Sequence, residues 1–154
     1  YELYEGLLDL FANAGFNVMT LAIETFNQKY NKKINFNTIS KEKIVELLRG
    51  IYGRGMKTEI YMMYAFPGQT LEELEYDEGI IKTLPFVDAV TWQNCMIFPG
   101  TQYYREGLAR GGFTEKSYRA ALNKGYFFHH LPKTFNFSSI SYSDLEAFRK
   151  KHKL

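Results

Sequence analysis

Three runs of β-favouring residues recur along this chain at intervals of roughly 30 to 40 residues, and helical apolar spacing fills the intervals. The first run, Asn17 to Thr25, alternates Met19, Leu21 and Ile23 with Val18, Thr20, Ala22 and Glu24, the period of two that a strand imposes. The first set is apolar enough to lie under helices. The second is smaller and ends in a carboxylate, as suits a barrel interior that opens on a site. The second run, Lys57 to Phe66, stops at Pro67-Gly68, and the third, Asp88 to Phe98, stops at Pro99-Gly100. Two consecutive strands therefore end on the same tripeptide, Phe-Pro-Gly.

The helices between them announce their own ends. One is already under way in the apolar spacing of Leu3, Leu7, Leu8, Leu10 and Phe11, and Gly15 supplies a left-handed cap. Ser40 opens the next, with Lys43 where a reciprocal capping glutamate would stand, and Ile44, Leu47, Leu48 and Ile51 form its stripe. Thr70 opens a third, with Glu72 and Glu73 in the first turn, where negative charge suits the macrodipole. Pro85 closes it, and a fourth helix spans about 102 to 109.

Helices and strands in alternation imply a parallel sheet with right-handed crossovers. The expected fold class is α/β: a partial TIM-type (β/α) barrel fragment of about three βα units plus a mostly helical C-terminal extension. Residues 1–110 form the barrel part. Residues 111–154, rich in aromatics (Tyr118, Tyr126, Phe127, Phe128, Phe135, Phe137) and ending in a helix opened by Ser141 or Ser143, pack on it. Three units cannot close a barrel, and the first strand would present a naked edge. The chain opens on Tyr1 inside a helix, so it is read as a piece of a longer protein. The expected partners are the missing N-terminal half of the barrel or, through the exposed sheet edge, a second copy of the chain.

In parallel α/β folds ligands bind beyond the carboxyl ends of the strands. Three segments fall there: Glu24-Thr25, Tyr64 to Gln69, and Ile97 to Thr101. Each also has a structural reading. Glu24 can cap the following loop, and a Phe-Pro-Gly turn can be simple punctuation. Two such turns at equivalent positions carry more, since glycine lets a ligand approach the backbone closely. A third possibility makes Glu24 a general base, but no second catalytic group accompanies it beyond Thr25 and Gln69.

In this order and spacing, "LAIET", "YMMYAFPGQTLEE" and "VTWQNCMIFPGTQYY" resemble the fourth, fifth and sixth strands of radical S-adenosylmethionine (SAM) enzymes. The likeness runs from about Leu3 to Ala109 and is greatest to the branch with a cobalamin-binding domain, which includes the anaerobic magnesium-protoporphyrin monomethyl ester cyclase. It implies a (β/α)6 barrel, SAM, a four-iron four-sulfur cluster, and reductive cleavage of SAM to a 5′-deoxyadenosyl radical. Cobalamin is the further cofactor of that branch, and its binding domain a further partner. By the resemblance, Glu24 matches the glutamate of a "GIES" strand end near the polar groups of SAM, with Thr25 in place of serine. Ala65 stands where glycine is commoner, followed by Phe66, Gly68 and by Gln69 in place of glutamate. Ile97, Phe98, Pro99 and Gly100 match the segment whose backbone lies against adenine. Thr91 and Gln93 share the barrel-facing parity and are expected to line the substrate side.

The family's CxxxCxxC loop is not in this sequence, whose one cysteine is Cys95. The chain alone is therefore expected to hold none of these cofactors and to be inactive, since such clusters require several thiolates. The alternative function is a non-catalytic half-barrel that binds without a cluster. Cys95 is expected to be a small buried residue on the third strand. Adjacent His129 and His130 point in different directions in regular structure, so no metal site is expected.

A net charge of +2 gives no field directed at nucleic acid. The terminal Arg149, Lys150, Lys151 and Lys153 read as a solvated helix end. No apolar run reaches the roughly 20 residues that span a bilayer, and no signal peptide is visible. A single cysteine excludes a disulfide framework, and the expected location is cytoplasmic.

Overall fold

The computed structural model describes residues 5–31, 39–125 and 135–154. Its elements run α1 (Glu5–Asn13), β1 (Val18–Glu24), α2 (Gln28–Asn31), α3 (Lys41–Tyr52), β2 (Lys57–Tyr64), α4 (Leu71–Lys82), β3 (Ala89–Asn94), α5 (Gln102–Ala109), α6 (Glu115–Asn123) and α7 (Tyr142–His152). The sheet has the order β1-β2-β3. β1 pairs parallel to β2 in the register Val18 with Lys57 through Ala22 with Tyr61. The Asp88 N–H donates to the Thr58 carbonyl and the Cys95 N–H to the Tyr64 carbonyl, both partners advancing together along the chain. β3 is therefore parallel to β2 as well. This is a partial TIM-like α/β fold with added C-terminal helices.

The expected caps form. At the end of α1, Gly15 takes φ +86° while the Phe16 N–H reaches back to the Phe11 carbonyl at 3.0 Å. Ser40 Oγ accepts from the Lys43 N–H at 3.3 Å. At α4, Thr70 Oγ1 accepts from the Glu73 N–H at 3.3 Å, and Glu73 Oε2 accepts from the Thr70 N–H at 2.9 Å. That is a complete reciprocal capping box.

Two strands end earlier than their sequences predict. β2 stops at Tyr64 rather than Phe66 because Ala65 turns left-handed, φ +60°, and leaves the extended backbone. β3 stops at Asn94 rather than Phe98. Once β2 has turned away, the strand beside it loses its row of acceptors, and the bond from Cys95 to the Tyr64 carbonyl marks the end of the pairing.

The chain groups into two compact units, Tyr1–Met62 with Glu75–Thr91, and Met63–Leu74 with Trp92–Leu154. In the first, Leu8, Ile51 and Met56 are buried together, with Phe11, Ala12, Met19, Leu21 and Leu47 packed around them. The predicted apolar side of β1 thus lies under α1 and α3, while Val18, Thr20 and Ala22 on its other side are exposed. The neighbouring positions Lys57, Glu59 and Tyr61 of β2 are exposed too, so this sheet face is open in the first unit.

In the second unit, Phe148 of α7 packs against Tyr64 and Trp92, with ring centroids 5.2 and 5.1 Å apart. Ser141 opens α7 by accepting from the Asp144 N–H at 3.1 Å, and the basic run occupies its last turn. Among the described residues no helix is long and apolar enough to cross a membrane.

Ile51 is fully buried in the first unit's cluster. Ile51→Ala should destabilise by about 2–5 kcal/mol, read as a lower midpoint in denaturant with little change of slope.

Candidate functional site

At the carboxyl end of β1 the chain makes a three-residue turn. The Thr25 N–H donates to the Ile23 carbonyl at 2.8 Å, and the residue between them, Glu24, sits at φ +67°. The strand register slips at the same place. Glu24 therefore leaves the alternation that would have set it beside Ala22, and becomes half-buried. A side-chain-bearing residue in this conformation is strained by roughly 1–2 kcal/mol and needs its surroundings to hold it.

Those surroundings centre on Asp77 of α4. Its carboxylate, wholly buried, accepts from Thr25 Oγ1 at 2.7 Å and from the Phe26 N–H at 2.9 Å. Thr25 Oγ1 in turn accepts from the Asn27 N–H at 2.9 Å, and Asn27 Oδ1 accepts from the Lys29 N–H at 3.0 Å, opening α2. One carboxylate thereby fixes the two residues that follow Glu24. The hydroxyl of Thr25 is engaged inside the protein and its side chain is fully buried. Sequence reasoning missed Asp77, although its place one turn after Leu74 puts a carboxylate on the apolar side of a helix, which is a readable signal.

The two Phe-Pro-Gly segments adopt one geometry. The Gln69 N–H donates to the Phe66 carbonyl at 2.9 Å, and the Thr101 N–H to the Phe98 carbonyl at 3.1 Å. Gly68 and Gly100 take φ +75° and +87°. Proline at the second position and left-handed glycine at the third make both type II turns. Ala65, φ +60°, explains why glycine suits that position.

The two turns differ in what surrounds them. Phe66 and Gln69 are fully buried. Gln69 Oε1 accepts from the Phe66 N–H at 3.2 Å, while its Nε2 is buried without a hydrogen-bond partner among the described residues. Phe98, Pro99 and Gly100 are exposed, Phe98 at 46%, after a buried Ile97. The Ile97 carbonyl accepts from the Tyr118 hydroxyl at 2.6 Å. Burial pushes the Tyr118 phenol up, so it stays protonated as the donor. Thr91 and Gln93 are half-buried, alternating with buried Trp92 and Asn94. Cys95 is buried just past β3.

His129 and His130, like Tyr126, Phe127, Phe128, Tyr1 and Leu3, lie outside the described residues. Among the described residues no three histidine, cysteine or acidic side chains gather as a metal site would need.

Residues 1–77 match the family model of the Radical SAM superfamily. The chain belongs to this superfamily. The heme chaperone HemW of Buchnera aphidicola (subsp. Acyrthosiphon pisum, strain APS) is 33% identical over 99 residues, 64% of this chain and 26% of that protein. Coproporphyrinogen III oxidase HemN from Escherichia coli, a radical SAM enzyme, superposes with a TM-score of 0.63 at 18% identity, over 97% of this chain and 30% of that one. The radical SAM methyltransferase TsrM from Kitasatospora setae, solved with cobalamin and a four-iron four-sulfur cluster, gives 0.61 at 18% identity, over 71% of this chain and 22% of that one. At that identity the two structures show the shared fold. The chain spans about a quarter of the curated relative it matches.

Superfamily membership implies SAM and a four-iron four-sulfur cluster, and the chain's residues fit the two differently. One cysteine cannot make the thiolate set a cluster requires, so the residues of this chain do not fit a cluster. SAM fits better, because burial alone holds the Glu24 carboxyl above its usual range, and a cationic ligand would relieve that cost. The orphaned Gln69 donor is likewise a group that a ligand's acceptor would satisfy.

Both carboxylates around the β1 turn can be probed by substitution. Asp77→Ala leaves the Thr25 hydroxyl and the Phe26 N–H without their acceptor, and should destabilise by about 2–4 kcal/mol. Asp77→Asn keeps one acceptor and should lose less; equal losses in denaturant melts would show that the bonds do not matter. Glu24 binds its proton more tightly folded than unfolded. Its stabilising contribution is present below the ordinary carboxylate value and is lost as pH rises through the raised one. Glu24→Gln should therefore melt at a higher temperature than the parent at pH 7, and the gap should close on acidification toward about pH 4.

Proposed function

We propose that this chain is the SAM-facing part of a radical SAM enzyme, and that Glu24 on its strained turn is the group that meets the cofactor's cationic end. The observation that carries this reading is the half-buried, desolvated carboxylate at the carboxyl end of a parallel strand, in a chain of the superfamily. Thr25 holds the turn from below. The exposed Phe98, Pro99 and Gly100, with Ile97 behind them, serve the adenine. Ala65, Phe66, Gly68 and Gln69 shape the equivalent turn after β2. Thr91 and Gln93 line the substrate side.

When bound, and reduced by a cluster, SAM supplies a 5′-deoxyadenosyl radical that abstracts hydrogen from a substrate. The cluster's thiolates come from the N-terminal half of the barrel, the first partner of this chain, with residues 1–110 as the barrel part and 111–154 as its extension. A cobalamin-binding domain is the second partner, supported by the resemblance to the cobalamin branch and by the fold shared with a cobalamin-bound methyltransferase. Self-association through the exposed edge of β1 is a third. Superfamily membership favours this enzyme over a half-barrel that only binds. Two relatives carry heme and coproporphyrinogen in their names, which makes tetrapyrroles the first substrates to assay.

The test uses the full-length protein, reconstituted anaerobically with iron and sulfide. It should release 5′-deoxyadenosine from SAM, and Glu24→Ala should weaken SAM affinity by about 10- to 100-fold, the worth of a charged hydrogen bond. SAM affinity should also rise with pH through the Glu24 titration, since the carboxylate is the form that attracts a cation. An unchanged affinity in Glu24→Ala would remove Glu24 from the site. Absence of SAM binding in the loaded protein would overturn the reading itself.

A further inference from the structure

Both Phe-Pro-Gly turns are bonded to residues far along the chain, all within the second compact unit. The Gly68 N–H donates to the Phe137 carbonyl at 2.9 Å, and the Ser139 N–H donates to the Gln69 carbonyl at 2.8 Å. The two bonds run in opposite directions between neighbouring backbones, as in a single rung of a sheet, and tie the first turn at its glycine. The second turn is tied by the 2.6 Å bond from the Tyr118 hydroxyl to the Ile97 carbonyl. Neither turn is a free loop.

The tethers are themselves held. Asn136 Oδ1 accepts from the Ser138 N–H at 3.0 Å, and Asn136 Nδ2 donates to the Ile140 carbonyl at 2.8 Å, so one side chain shapes the segment around Phe137 and Ser139. Phe113, Tyr118, Phe135 and Phe137 pack ring on ring, with centroids 5.5 to 6.2 Å apart. Space for this packing comes from missing side chains. A Cβ on Gly107 would collide with Phe113 Cε1, and one on Gly112 would fall 2.8 Å from Phe137 Cε1. The aromatic packing thus links the donor on the second turn, Tyr118, to the segment on the first.

We propose that Tyr118 and the segment 135–140 are the positioning device for both Phe-Pro-Gly turns, so that cofactor affinity at these turns is set by residues of the C-terminal extension that do not touch the cofactor. This rests on the reading of the turns as SAM-facing. The extension thereby gains a defined role, which is to fix the backbone on which the cofactor lies. Preorganisation of this kind raises affinity by removing the cost of ordering the turns on binding.

The test compares Tyr118→Phe and Asn136→Ala with the parent in the full-length reconstituted protein. Tyr118→Phe keeps the ring in the aromatic packing and removes only the donor. Three readouts are taken: equilibrium SAM affinity, KM for SAM against kcat, and amide hydrogen exchange at residues 66–69 and 97–101. Each variant should weaken SAM affinity by about threefold to tenfold, the worth of one hydrogen bond. KM should rise with kcat unchanged within about twofold. Exchange should quicken at Gly68 in Asn136→Ala and at Thr101 in Tyr118→Phe. Affinity unchanged in both variants overturns the proposal, and so does weakened affinity without faster exchange at the turns. If the parent binds no SAM, the cofactor reading fails separately; exchange at Gly68 and Thr101 then decides the positioning role alone, quickened exchange supporting it and unchanged exchange overturning it.

Discussion

A strand in a parallel sheet has to hand its chain to a helix crossing the sheet face, and the backbone must abandon the extended conformation within a residue or two. Here the handover is made each time through left-handed residues: Glu24 at the end of β1, Ala65 and Gly68 after β2, Gly100 after β3. Glycine accepts this conformation freely, whereas Glu24 and Ala65 do not. Where the residue carries a side chain, the neighbourhood has to compensate. At β1 the compensation is Asp77, whose two oxygens take the Thr25 hydroxyl and the Phe26 N–H. The strain sits on Glu24, and the bonds that offset it are made by its neighbours.

The same turn carries a second cost. Glu24 is half-buried with its carboxyl held above the ordinary range by desolvation. An alanine or glutamine there would relieve the protein. Retaining a group that the free protein tolerates poorly makes sense when a ligand supplies the missing charge, the usual arrangement in sites that give up stability for binding. The aromatic packing around Phe113 and Tyr118 is the opposite case. It is dense and apolar, and from within it the Tyr118 hydroxyl bonds to the Ile97 carbonyl.

Local chemistry made much of this legible. Gly15, Ser40, Thr70 and Ser141 mark helix ends through interactions within a few residues, and all lie where their sequences place them. The apolar side of β1 follows from its alternation. Illegible were the features set by partners distant in sequence. β3 is shorter than its β-favouring run because β2 has already turned away at Ala65. Glu24 departs from the parity of Val18, Thr20 and Ala22 because a turn intervenes within the strand's last residue. Tyr118 was visible only as an aromatic, since nothing near it in sequence points to a carbonyl 21 residues earlier.

The paired turns show where a motif stops carrying information. Phe-Pro-Gly fixes the same bend twice, with the same proline and the same left-handed glycine, because those requirements are local. What the bend does depends on what packs on it. After β2, Phe66 and Gln69 are fully buried and the turn is bonded by Phe137 and Ser139. After β3, Phe98, Pro99 and Gly100 stay exposed, and the tether reaches only the buried residue behind them. A ligand can meet the second turn directly. The first offers it an exposed glycine and an internal framework. Equal motifs at successive strand ends thus differ, one exposed and one largely buried, and both are bonded by the same aromatic-rich extension, which composition alone would have described as packing.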